Sequence, residues 1–314
     1  MKKYMIEEVN GSVELQMEIK NKIRNIAKEL GFAVSGVAEV KEINTILNLK
    51  NWVELGCHAD MEWFRKSIDT REEIRIWFYE SKSVIVFGYP YWHKCCIDQI
   101  AMYAHGYDYH KVIKKKIKSI ALLLSTIIEK LKFKISVDTG PVHEKEWAVR
   151  AGIGWQGKNS LVINPIMGSW FLLGILIVNI CLPRDKEIRN QCGDCRKCIE
   201  SCPTEAINYK GYIDCRKCLA YHTVENKDII PSNIKDKIKN TIFGCDICQK
   251  KCPWNENKIL YDNKGFCILG DIDKEKIIEM NDKELAIYFG KTPIGKSRIN
   301  RFKRNIEIYK KNRE

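Results

Sequence analysis

The tightest constraint on this chain is a block of cysteines between Gln191 and Pro253. Cys192, Cys195, Cys198 and Cys202, followed by Pro203, make a C-x2-C-x2-C-x3-C-P run. Cys245, Cys248 and Cys252, followed by Pro253, repeat it in shorter form. In the bacterial ferredoxin run of this spacing, the fourth Cys serves the other of two clusters. The spacing therefore implies two iron–sulfur clusters and one-electron chemistry. Cys192, Cys195, Cys198 and Cys252 make one ligand set; Cys202, Cys245 and Cys248 begin the other. The eighth ligand is Cys215 or Cys218. Structural zinc also uses C-x2-C pairs, but pairs rather than a four-Cys run ending in C-P. Each Pro turns the chain away from its cluster.

The bulk properties bound the rest. A chain of 314 residues is long enough for two cored domains. Most of the 14 cysteines lie in the second half at metal spacing, which favours metal over disulfides and a reducing cytoplasm over an oxidising compartment. No apolar run approaches the roughly 20 residues of a membrane span, so no membrane partner is expected. The formal net charge of +13 points to a polyanion. From Lys291 to Glu314, nine Lys or Arg against two Glu contribute +7 of it.

Before the cysteines, helical and extended patterns alternate. Period-3.6 stripes predict helices over Glu14–Leu30, Lys41–Leu55 and Tyr109–Lys132, with another over Glu144–Ala151. Apolar runs predict strands over Phe32–Val40, Ser83–Tyr91 and Lys134–Gly140. Leu161–Asn164 and Ser169–Asn179 read as a hairpin across Pro165–Gly168. Pro183–Gln191 reads as a linker. The expected architecture is α+β: a first domain over residues 1–182, a ferredoxin-like two-cluster domain over 183–260, and a short helical basic segment over 261–314.

Two further stretches carry a resemblance. One is Val137-Asp138-Thr139-Gly140-Pro141, with Arg150-Ala151-Gly152-Ile153-Gly154-Trp155-Gln156-Gly157-Lys158-Asn159-Ser160 after it. The other runs from Cys218 through Tyr221 and Thr223 to Glu225, then Phe243–Gln249 and Cys252–Asn255. Tyr107-Asp108-Tyr109-His110 and Thr292–Ile294 fit as well. Together they resemble the epoxyqueuosine reductases, cobalamin-dependent iron–sulfur enzymes of tRNA queuosine synthesis, over about residues 15–305. Many members also carry a C-terminal helical-repeat extension that is not in this sequence.

The resemblance implies a nitroreductase-like first domain holding base-off cobalamin against the ferredoxin-like domain. It makes Cys218 the eighth ligand, so the second set is Cys202, Cys218, Cys245 and Cys248. It makes Asp138 the catalytic acid, which requires a pKa raised by burial beside the corrin. It places Met61, Tyr107, Asp108, Tyr109, His110, Asp138, Gly157, Lys158, Asn159, Ser160 and Thr223 at the cofactor. Its substrate is an epoxide on a tRNA anticodon stem-loop, with electrons from an external donor. Arg298, Arg301, Lys303 and Arg304 are the residues offered to phosphate. The rival expectations are another corrinoid iron–sulfur reductase, of the reductive dehalogenase kind, and an electron-transfer module, which would need neither Asp138 nor the Gly157–Ser160 loop.

Overall fold

A computed structural model describes residues 3–43, 45–93, 97–208, 212–256, 269, 274–295 and 298–313. Cys95, Cys96 and Cys267 lie outside the described residues. After α1 (Ile6–Gly11) and α2 (Val13–Glu29) comes a four-stranded sheet, with β1 (Val34–Glu39), β2 (Ser83–Pro90), β3 (Phe133–Ser136) and β6 (Phe171–Val178) in the order β1-β2-β6-β3. All three pairings are antiparallel. Every residue of β2 is buried, which explains its unbroken apolar run: a central strand covered on both faces has no polar side to alternate with.

The strand period of two sorts its side chains between two cores. Ile85 and Phe87 meet Ile19 and Ile23 of α2 and Ile113, Ile117 and Leu124 of α6 (Tyr109–Ile127) on one face. Val84 and Val86 meet Ile46 of α3 (Ile46–Glu54) and Trp147 and Ala148 of α7 (Glu144–Arg150) on the other. The short helices α4 (Trp63–Lys66) and α5 (Ile68–Glu72) lie between α3 and β2 in the chain.

Several boundaries differ from expectation, among them that of β3, which ends at Ser136 rather than Gly140. Helix α6 stops at Ile127, because the Ile127 carbonyl accepts from Tyr4 N–H (2.8 Å) and Lys130 turns at φ 59°. Helix α3 begins at Ile46 rather than Lys41. The expected hairpin survives only at its tip, where Asn164 and Gly168 exchange backbone hydrogen bonds. Its arms then part: β5 (Val162–Ile163) pairs with β4 (Trp155–Gln156), while β6 joins the main sheet.

The expected linker is irregular but tied down. Asp185 accepts from Lys20 (2.8 Å), Arg24 (2.6 Å) and the Val37 N–H (2.9 Å). The cysteine region follows as short helices α8 (Lys197–Glu200), α9 (Leu219–Val224), α10 (Ser232–Lys235) and α11 (Ile247–Lys250). A third core joins Ile100 and Ala104 to Phe243 and to the final helices α12 (Lys274–Glu279), α13 (Asp282–Phe289) and α14 (Ile299–Lys311). No helix among the described residues is long and apolar enough to cross a membrane.

Candidate active site and cluster pockets

Asp138 sits just beyond the end of β3, at φ 60°. A hydrogen bond from Thr139 N–H to Val137 O (2.7 Å) closes a three-residue turn around it. A non-glycine residue held there costs on the order of 1–3 kcal/mol, and the surroundings enforce it. Glu144 Oε1 accepts from both the Asp138 N–H and Ser136 Oγ, each at 2.8 Å. Arg71 donates to the Val142 and Gly140 carbonyls beyond the turn.

Two side chains reach the carboxylate. Tyr109 OH donates to Asp138 Oδ2 at 2.9 Å, and His110 Nε2 lies 3.1 Å from the same oxygen. The other ring nitrogen of His110 bonds to Asp108 Oδ1 at 2.7 Å. Asp108 also caps α6, so helix and imidazole are oriented by one residue. The Asp138 side chain is 61% exposed although Tyr109 and His110 both reach it.

The electrostatics correct one expectation. Burial works to raise the Asp138 pKa, but the hydrogen bond and charge of His110, then Tyr109 and Lys145, hold it below the usual carboxylate range. Burial opposes the His110 cation, but Asp138 and Asp108 outweigh it and the pKa is raised. The two shifts are reciprocal: the pair favours an ionised Asp138 carboxylate beside a protonated His110 imidazole. Burial, then the nearby Asp138 charge, pushes Glu144 up to about 7.

Lys145 was read in the sequence only as part of a helix. Burial lowers its pKa, while Cys215, Asp138, Glu144 and Cys248 raise it. It therefore lies within reach of both the Asp138 carboxylate and the cysteine region. Its ammonium makes a long hydrogen bond, 3.5 Å, to Ser160 Oγ. An exposed carboxylate and a weakly bonded ammonium near it are groups that a polar-edged cofactor would satisfy. Arg71 and Glu144 were also missed; nothing in their spacing marks them.

The cysteines gather in two groups. Cys192, Cys195, Cys198 and Cys252 line a cavity of about 50 Å³ with Lys158, Asn159, Ile163 and Trp254. The Cys252 thiol is pushed up by burial and by Cys192, Cys198 and Cys195 beside it. In the second set, burial comes first and pushes Cys245 to about 12, with Cys218 and Cys202 contributing. Cys248 is raised by burial, Cys245, Cys218 and Cys202. Such mutual repulsion of thiolates is relieved by iron. Cys215 is pushed up to about 12 by burial, with Cys218 and Cys57 among its neighbours. No three His, Cys, Asp or Glu among the described residues converge as ligands of a single ion would; a cubane distributes its thiolates over separate irons.

The remaining expected residues have other surroundings. Lys158 donates to the Gly193 and Cys195 carbonyls (2.6 and 2.9 Å), on the first-cluster loop. Asn159 lines the first-cluster cavity. Gly157 packs closely there, since a Cβ would come within 2.5 Å of Ile163 Cδ1 and displace it. Thr223 is fully buried and joins Leu219 to Gly244. Met61 is buried in a loop whose Asp60 accepts from Tyr221 OH (2.6 Å). Tyr107 is exposed beside Asp108.

The four basic residues offered to phosphate all have partners within the protein. Arg304 donates to the carbonyls of His222 (2.7 Å), Asn226 (3.0 Å) and Asp228 (2.6 Å). Arg301 donates to Val224 and Glu225, Arg298 to Pro293, and Lys303 pairs with Asp282. A wider groove of about 690 Å³, lined by Lys41, Arg75, Glu146 and Arg150, holds none of the candidate residues. The clustered chemistry, rather than cavity size, marks the site.

A family model for a 4Fe-4S double cluster binding domain matches residues 191–255. With two cysteine sets near a poised carboxylate, the fold and site define an iron–sulfur oxidoreductase carrying two 4Fe-4S clusters. An epoxyqueuosine reductase of Cyclobacterium marinum is 36% identical over 299 residues, 92% of this chain and 96% of the relative; one of Prochlorococcus marinus is 42% identical over 260 residues, 80% and 81%. The chain belongs to the epoxyqueuosine reductase family. The family model "Epoxyqueuosine reductase QueG, DUF1730" matches residues 71–139. The epoxyqueuosine reductase of Streptococcus thermophilus superposes with a TM-score of 0.81 at 31% identity, over 94% of this chain and 82% of that one. An epoxyqueuosine reductase solved with an epoxyqueuosine-modified tRNA-Tyr stem loop superposes at 0.83 and 25% identity, over 94% and 81%.

Proposed function

We propose that this chain reduces epoxyqueuosine to queuosine in a tRNA anticodon loop, with Asp138 delivering the proton. Family membership supports the reaction, and the solved relative bound to a modified tRNA stem loop supports the substrate. The observation that carries the site is the hydrogen-bonded series Asp108–His110–Asp138, with Tyr109 as a second donor. The cytoplasm, where tRNA and reduced thiols coexist, is the fitting compartment.

Base-off cobalamin, when bound and reduced, would supply a two-electron nucleophile charged singly through the two clusters from an external donor. The first domain, residues 1–182, is read as its nitroreductase-like holder, with residues 183–260 carrying the clusters and 261–314 bracing them. Asp108 and Tyr109 fix His110 and Asp138 in register. Asp138 passes the proton that His110 holds to the epoxide oxygen as it leaves, a role suited to a positioned acid. Lys145 offers a cation where negative charge gathers. Tyr107, exposed at the rim, is placed to stack on an extruded base. Lys303 keeps a side chain that is 44% exposed, against 27% for Arg298, and is the better placed of those two for phosphate.

The test is anaerobic turnover of epoxyqueuosine-modified tRNA with added cobalamin and a strong reductant, read as queuosine by mass spectrometry. Asp138→Asn should lower the rate by about 10²–10⁴ and leave iron content and cobalamin binding unchanged. A full rate in that variant would remove Asp138 from the mechanism. Absence of queuosine from wild-type protein loaded with iron and cobalamin would remove the substrate.

A further inference from the structure

We infer that Asn159 donates a hydrogen bond through Nδ2 to a sulfur of the first cluster and, with Lys158, raises that cluster's reduction potential. The inference rests on the two-cluster reading and concerns how the protein tunes one cluster against the other.

Asn159 is 2% exposed. Its Oδ1 accepts from the Leu161 N–H at 3.3 Å, which sets the orientation of the amide. Nδ2 is then buried with no acceptor among the described residues. A buried donor left unpaired is costly, so native proteins supply a partner. The indole N–H of Trp147 also has no acceptor among the described residues, but it lies within one of the two cores that cover the sheet. Asn159 instead lines a cavity with all four cysteines of the first set, where the acceptors in the loaded protein are thiolate and sulfide.

Lys158, one residue earlier, places its ammonium on the Gly193 and Cys195 carbonyls. The cluster gains negative charge on reduction. An N–H donor and a nearby cation both favour the reduced form and raise the potential. Within the Gly-Lys-Asn-Ser run, Gly157 permits the close turn, Lys158 braces the cysteine loop and Asn159 points a donor at the cluster.

The experiment is a potentiometric titration, followed by electron paramagnetic resonance, of anaerobically reconstituted wild type, Asn159→Leu and Asn159→Asp, with iron counted in each. The Leu variant should move the midpoint of one cluster to more negative potential and leave the other in place. The Asp variant, which adds a negative charge, should move the same midpoint further. If Leu does not fold, Asn159→Ala removes the donor with less bulk. Unmoved midpoints in variants that keep about eight irons would overturn this inference alone. So would equal shifts of both clusters, or loss of four irons, which would make Asn159 a wall and nothing more. A wild-type chain without about eight irons would overturn the two-cluster reading and this inference with it.

Discussion

The two cluster pockets are built from nearly the same sequence motif and are held in opposite ways. The first is mounted on the sheet domain. Lys158 holds the Gly193–Cys195 loop, and Asn190 carries both Gln156 O and the Cys192 N–H. Asn255, just past Cys252, accepts from the Ser169 N–H (2.7 Å) and donates to the Gln249 carbonyl (2.7 Å). The second pocket is mounted from the far end of the chain. Asn305 of α14, fully buried, donates to both Thr223 O and Ile242 O at 2.8 Å. Those carbonyls belong to the segments that carry Cys218 and Cys245. Cys195 of the first set is exposed, whereas the second set has no exposed member. Spacing settles which cysteines share a cluster; the walls decide what each cluster feels.

The sharpest way to break this comparison is to move a ligand. Cys218→Ser should cost about four of eight irons and all turnover, while Cys215→Ser keeps the full count by iron and sulfide analysis. The reverse result would exchange the two cysteines.

Next comes the mounting. Asn305→Asp replaces two donors with oxygens facing two carbonyls, at a cost on the order of 2 kcal/mol or more. It should empty the second pocket preferentially and lower the unfolding midpoint, with the first cluster's spectrum retained. Loss of both clusters together would show that α14 braces the whole region evenly.

The smallest effect belongs to the catalytic turn and should leave both pockets alone. Glu144, pushed up from 4.5 to about 7, keeps a proton in the folded chain that the unfolded chain releases. Stability should therefore fall as pH rises from about 4.5 to about 7 and level off above. His110, whose pKa is also raised, acts in the same direction: its stabilisation is complete below its usual value and lost as pH rises through the folded one. Glu144→Gln should flatten the first slope in denaturant melts taken across that range, at unchanged iron content.

The contrast also marks what a reader of the sequence can reach. Thiolate spacing is local chemistry, so a two-cluster region could be read from it, which the double-cluster family model over residues 191–255 matches. The strands and helices of the first domain followed from periodicity, because a covered central strand and amphipathic helices leave distinct patterns. What stayed hidden depends on contacts between distant segments. Nothing near Asp138 announces that His110 lowers its pKa. The arginines of α14 look like phosphate ligands by composition, yet Arg301 and Arg304 satisfy carbonyls about 75 to 80 positions earlier. Nor does spacing announce that Thr223, Lys158 and Asn159 contact or line the cysteine-bearing segments.

The Asp185 clamp has one more consequence. A charged, irregular stretch between two domains is ordinarily where a protein hinges. Here Lys20, Arg24 and the backbone of Val37 grip it, and Asn255 fastens the second cysteine run to the turn before β6. Two separate ties thus hold the cysteine region to the sheet. The conformational work of meeting would fall to the RNA, which must unstack its modified base and thread it inward. An enzyme mounted this stiffly selects nucleic acid by how readily it distorts, so a loop already frayed should be processed faster than one held in a tight stack.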